Sequence, residues 1–226
     1  MIFFLQQRWC HLMSLINLNN GQIAFLIVVP IIVIVGIFCA IYFPVRKRRM
    51  RTQYKYHYYR FIYKEALLQD LYLINNFLFK IDDTHYGKID HILFANKYIY
   101  IINDYYFDGD IEGKDSDASL IFISRSGKRK YIDNMILDNK KLIGKLSLIT
   151  GINTSLMIGV SLINKNSNCA VSSSSKHHYI IQANKFKMLL KAIESRPIGN
   201  INQEQLSSAV QAIDKLNRKT RKNAKK

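Results

Sequence analysis

Residues 87–113 read GKIDHILFANKYIYIINDYYFDGDIEG. Two runs rich in Ile, Tyr and Phe, Ile89 to Phe94 and Tyr98 to Tyr106, flank Asn96-Lys97, and that spacing predicts a β-hairpin. Downstream, Leu120 to Ser124 and Lys130 to Ile132 flank Ser126-Gly127-Lys128 and repeat the signal. Upstream, Phe61 to Leu78 carries Ile62, Ala66, Leu67, Leu71, Ile74, Phe77 and Leu78 at helical spacing, with Glu65 and Gln69 on a flank. One helix is expected there.

Helical spacing returns from Asn134 to Ile149 through Ile136, Leu137, Leu142, Ile143 and Leu146. Ser155 to Ile163, Asn168 to Val171 and Tyr179 to Gln182 read as strands, the last after a Ser172 to Ser175 loop. Phe186, Leu189, Leu190 and Ile193 define a further helix closed by Arg196-Pro197, and Leu206, Val210 and Ile213 an amphipathic one that runs into a Lys/Arg tail. The order predicts a single α/β domain with a mixed sheet.

The N-terminal part is of another kind. Ile23 to Phe43, IAFLIVVPIIVIVGIFCAIYF, holds no charge, amide or hydroxyl except Tyr42. As a helix it spans about 30 Å, the thickness of a bilayer's hydrocarbon core. A core helix of that length needs a polar face, and a cleavable signal needs cations before its apolar run; here the cations come after it. The segment reads as a transmembrane anchor. Arg46, Lys47, Arg48, Arg49 and Arg51 just beyond it predict a cytoplasmic C-terminal part and an N-terminus outside, in the cell membrane. Residues 1–22 form a short outer tail, and Met13 is an alternative start of translation.

The chain has 226 residues with 33 Lys and Arg against 16 Asp and Glu. Residues 46–64 hold eight cations and no acid, and residues 214–226 hold seven cations and Asp214. Residues 65–213 are nearly neutral, with 17 cations and 15 acids. The basicity therefore sits at two flanks, where it suits anionic lipid or a phosphate backbone. Tyr54, Tyr56, Tyr58, Tyr59, Phe61 and Tyr63 interleave with the first flank and fit a membrane interface better than base stacking. The tail from Lys215 to Lys226 is expected to be solvated and frayed.

With 49% hydrophobic residues and few Gly or Pro, disordered and collagen-like chains are excluded. Cys10, Cys39 and Cys169 are too dispersed for a disulfide framework or a structural zinc site. The sequence holds no P-loop, HExxH or GxSxG. His177 and His178 read as surface loop residues, and His85 and His91 as structural ones.

Ile89-Asp90-His91-Ile92-Leu93 and the next strand, ending in Gly109, resemble the nuclease-related domain (NERD) of bacterial proteins. That family has a PD-(D/E)xK nuclease-like, restriction-endonuclease-like fold. Its pattern is a helix with an early Glu, IDH(I/V)hh on a strand, hhVIETKNYxG, and a helix opening near NPxxQ. The resemblance covers about residues 60–195, with Glu65 at the early Glu and Asn134 opening the next helix.

In such a site carboxylates on adjacent strands hold Mg²⁺, which polarises the scissile phosphate and activates water, while a Lys two residues along one strand points to the same face. Here the Glu and Lys positions are Asn103 and Tyr105, and the Gln of NPxxQ corresponds to Asp138. Of the implied catalytic set only Asp90 and Glu65 stand, so the resemblance implies an inactive domain that needs no cofactor and binds nucleic acid or a protein partner. The alternative is a metal-dependent nuclease with Mg²⁺ at Asp90 and a displaced ligand from Asp104, Asp108 or Asp110. A third reading is an anchor whose basic ends only hold lipid. The expected organisation is an outer segment 1–22, a span 23–43, a basic-aromatic juxtamembrane segment 44–59, the α/β domain 60–195, and a C-terminal helix with its tail, 196–226.

Overall fold

The computed structural model describes residues 20–82 and 85–223. Residues 1–19, with Cys10, the expected outer tail and the alternative start at Met13, and the tail residues 224–226 lie outside the described residues. The chain divides into two compact units, residues 1–52 and 53–226.

The first unit is helical from Asn20, the start of α1 (Asn20–Leu68). α1 is long and apolar enough to cross a membrane, and no part of its most apolar window is buried within the chain. Pro30 and Pro44 lie inside it. Neither ends the helix. At Gln53 the backbone leaves helical geometry (φ −110°, ψ 15°), and this kink marks the boundary between the units.

In the second unit, α1 continues with Tyr58, Ile62 and Ala66 at intervals of four, and all three are buried. The helix then stops short of where its spacing predicted. Asp70 takes a left-handed φ of 52°, and the Leu71 N–H bonds back to the Ala66 carbonyl at 2.8 Å, a closure that turns the chain out of the helix. The next element is a strand, β1 (Tyr72–Lys80), so the predicted helix over 61–78 is corrected to a helix ending at Leu68.

β1 pairs antiparallel with β2 (Tyr86–Phe94), β2 antiparallel with β3 (Ile99–Asp104), and β3 parallel with β7 (Met157–Ile163), which is parallel in turn to β9 (His178–Gln182). The sheet order is β1-β2-β3-β7-β9. Side chains alternate across β3: Tyr100 and Ile102 join Tyr58, Ile62 and the Phe186, Leu190 and Ile193 of α3 (Phe186–Glu194). Ile99 and Ile101 enter the opposite cluster with Ile143 and Leu146 of α2 (Met135–Thr150) and Ala209 and Ile213 of α4 (Gln203–Asn223). Helices therefore cover both faces, and β7, MIGVSLI, is buried at every residue, as a central strand of such a sheet must be.

The expectation of one mixed sheet is also corrected. β4 (Gly109–Lys114), β5 (Ser119–Ser124), β6 (Arg129–Asp133) and β8 (Cys169–Ser172) form a second sheet, ordered β6-β5-β4-β8, around Ile111, Leu120, Met135 and Ile163. β4 reads GDIEGK, too polar and glycine-rich to predict as a strand. Gly109 is required there, because a Cβ would run into the Ile123 carbonyl.

Two expectations about the basic flanks change as well. Tyr58 is buried and Tyr54 packs against the same core, while Tyr56, Phe61 and Tyr63 stay exposed, so only part of the aromatic run is free to meet a membrane. The tail is helical through Asn223, with Asn217 and Thr220 buried. Arg221 donates to the carbonyls of Asn75 and Asn76, which ties this end to β1 rather than leaving it frayed.

Candidate functional site

Asp90 and His91 stand next to each other on β2, opposite the end of β3. Regular alternation would send them to opposite faces, but it is broken here. Ile89 and Ile92, three apart, enter the same core cluster, and Asn76 on the facing β1 takes φ 50°. The break lets both side chains meet Asp104, the last residue of β3.

Asp90 Oδ1 accepts from Lys55 Nζ at 2.6 Å, and Lys88 Nζ is 3.8 Å from the same oxygen. Its Oδ2 accepts from the Asp104 N–H at 3.1 Å. The Asp90 N–H in turn donates to Asn103 Oδ1 at 3.2 Å, Asn103 Nδ2 to Asn139 Oδ1 at 2.6 Å, and Asn139 Nδ2 to Ser161 Oγ at 3.0 Å. All four residues of this chain of bonds are buried, so its partners satisfy groups that would otherwise be costly to bury.

His91 is bonded at both ring nitrogens: Nδ1 lies 2.6 Å from Asn75 Oδ1 and Nε2 lies 2.9 Å from Asp104 Oδ2. The Tyr59 ring stacks on it. Burial, partly offset by the hydrogen bond from His91, holds the Asp104 carboxyl above the usual carboxylate range. Its Oδ1 is buried and has no hydrogen-bond partner among the described residues. Desolvation pulls the Lys55 ammonium down, but its bond to Asp90 and that carboxylate's charge outweigh this, leaving its pKa raised. These groups line a cleft of about 220 Å³ between α1 and β1.

The other positions of the expected catalytic set fare unequally. Asn103 contacts Asp90 directly. Tyr105 stacks on Phe107 beside the second sheet's core. Burial first, then the charges of Asp138 and Asp90, raise its hydroxyl pKa. Asp138 sits in the first turn of α2 with Lys141 at 3.9 Å. Desolvation raises its carboxyl's pKa, with Lys141 opposing. Glu65 is elsewhere: it is buried on α1, where Lys187 Nζ stands 3.6 Å and Gln69 Nε2 3.5 Å from its carboxylate. Arg46 to Arg51 belong to the other unit.

Asp108 pairs with Arg125 at 2.8 Å, Asp110 accepts from the Asn168 N–H, and neither lines the Asp90 cleft. Among the described residues no group of three or more His, Cys, Asp or Glu could hold a metal ion. The residues present do not suit Mg²⁺: Lys55 occupies the Asp90 oxygen, and Asn103 is neutral with both ends of its amide engaged. Sequence reasoning singled out Asp90 but missed Lys55, Asn139 and Ser161, which are brought to it only by tertiary pairing. No family model, curated protein or solved structure matches the chain.

Proposed function

We propose that the chain is a single-span membrane protein whose second unit lies in the cytoplasm, has a nuclease-like fold, and binds nucleic acid there without cutting it. The observation that carries this reading is the Lys55 ammonium on Asp90 at 2.6 Å. A cation of the protein's own stands where a nuclease needs a divalent ion, and the buried amide chain behind it offers no second charged ligand. Arg46, Lys47, Arg48, Arg49 and Arg51 hold the cytoplasmic side of the span against anionic lipid. Exposed Lys215, Lys219 and Lys222 on α4 supply phosphate contacts.

The buried, unpartnered Asp104 Oδ1 near Asp90 favours a second reading, a nuclease with a rearranged site, in which a metal would displace Lys55. Binding is tested with the full chain in nonionic detergent and a fluorescent DNA duplex, by anisotropy across a salt series. The expected result is an affinity that falls with salt, with a log–log slope smaller by about 0.9 for each phosphate that the triple variant Lys215→Gln, Lys219→Gln, Lys222→Gln leaves unneutralised. Absence of binding at low salt would refute the reading.

A further inference from the structure

A second cleft, of about 350 Å³, opens beside α2 and the starts of β7 and β9, and shares no residue with the Asp90 cleft. Lys140, Thr154, Ser155, Ser175, His177 and His178 give it its polar lining. Three buried side-chain nitrogen or oxygen atoms lack a hydrogen-bond partner among the described residues, and two of them, His177 Nδ1 and His178 Nδ1, belong to this cleft. A buried polar atom left without a partner is costly, so two at one opening need a reason.

The His178 ring is placed by the backbone opposite it. His178 pairs with Gly159 of β7, and a Cβ at Gly159 would lie 2.5 Å from His178 Nδ1. Only glycine leaves room for the imidazole. Burial first, then the neighbouring Lys140 and His177, hold His178 down to about 4, so near neutral pH it is an uncharged ring with one N–H to give.

The lining settles the sign of the ligand. Lys140 is exposed and cationic, and no carboxylate lines the cleft. Asp115, the acid that feels Lys140, is already taken up by Ser173 Oγ, the Ser174 N–H and Ser174 Oγ at 3.0, 3.0 and 3.3 Å. A cationic guest would meet the Lys140 ammonium with no carboxylate among the described lining residues, since Asp115, which keeps its charge on those serine donors, does not line the cleft. An oxyanion would meet that ammonium, hydroxyls and two imidazoles, which is a donor set suited to a tetrahedral dianion. Ile143 and Met157 add an apolar wall, and Gly144 keeps it open, so the site has room for an organic group as well as the anion.

We propose that this cleft binds a small phosphate monoester, with the phosphoryl oxygens on Lys140, His177 and His178 and the organic group against Ile143 and Met157. The site is independent of the Asp90 cleft. Its success or failure therefore leaves the nucleic-acid reading untouched.

The test uses the full chain in nonionic detergent, titrated calorimetrically with phenyl phosphate and with inorganic phosphate while the Cε1–H resonances of His177 and His178 are followed by NMR. Phenyl phosphate is expected to bind and to move both resonances, and inorganic phosphate to bind more weakly because it leaves the apolar wall empty. Lys140→Gln, an exposed change that removes no packing, should weaken phenyl phosphate about tenfold, and Lys140→Arg should restore most of the loss. The proposal is overturned if neither ligand moves the histidine resonances or if Lys140→Gln binds phenyl phosphate as well as the parent. Inorganic phosphate binding as tightly as the ester would overturn the assignment to a monoester.

Discussion

Lys55 stands 35 positions before Asp90, and their contact decides what the Asp90 cleft can do. The Asp90 side chain is only 9% exposed, so removing the ammonium strands a charge, whereas Lys55 itself reaches water at 44%. Lys55→Met should therefore cost about 1 kcal/mol after allowance for solvent screening, read from urea unfolding. Asn103→Leu should cost more, about 2 kcal/mol, because it leaves the Asp90 N–H and Asn139 Oδ1 unpaired inside the protein. Equal stability of the two variants would show that the amide chain is not what holds this corner together. His178 gives a pH signature. Its pKa is about 4 against an ordinary 6.5, so between those values the unfolded chain binds more protons than the folded one. Stability is full above 6.5 and is lost as pH falls toward 4, and His178→Asn should shrink that loss when urea midpoints are compared at the two ends. Asp90 was legible in the sequence only through the Ile-Asp-His resemblance, and His91 was read there as a structural residue. Lys55, Asn139 and Ser161 were not legible, since nothing local links them to Asp90.

Elements were legible where one period ruled, and misread where a local irregularity imitated another. β1 buries Ile74, Phe77 and Phe79. The step of three from Ile74 to Phe77 arises at Asn76, whose positive φ breaks the alternation of the strand, and that spacing is also the signature of a helix. The closure at Asp70 that ends α1 carries no glycine to announce it. An aspartate at φ 52° is strained, so Asp70→Gly should raise stability by about 0.5 kcal/mol in thermal unfolding; a loss would mean that the carboxylate itself matters there. α4 was expected from Leu206, Val210 and Ile213, but its C-terminal hold on β1 was hidden, because Arg221 uses backbone carbonyls that leave no trace in sequence. Ile213 is fully buried against the five-stranded sheet, and Ile213→Ala should cost about 3 kcal/mol. A cost near zero would show that α4 is dispensable to the fold.

At the scale of the whole molecule the chain joins an apolar helix fit for a bilayer to a unit with its own core, and the apolar run Ile23 to Phe43 with the cations after it announced that division in the sequence. Of the second sheet, β5, β6 and β8 were legible as strands, but β4 and its parallel pairing with β8 were not, because β4 is short and polar and meets β8 only after a long excursion of the chain. The reading of the molecule as a holder rather than a cutter of nucleic acid rests on Lys55 filling the place of a metal ion. The measurement that tests it most directly is the fate of an end-labelled DNA duplex incubated with the full chain in nonionic detergent, with Mg²⁺ or Mn²⁺, beside Asp90→Asn. The expected result is intact duplex with both proteins and either metal, although the duplex is bound. Metal-dependent cleavage by the parent that disappears in Asp90→Asn would contradict the account.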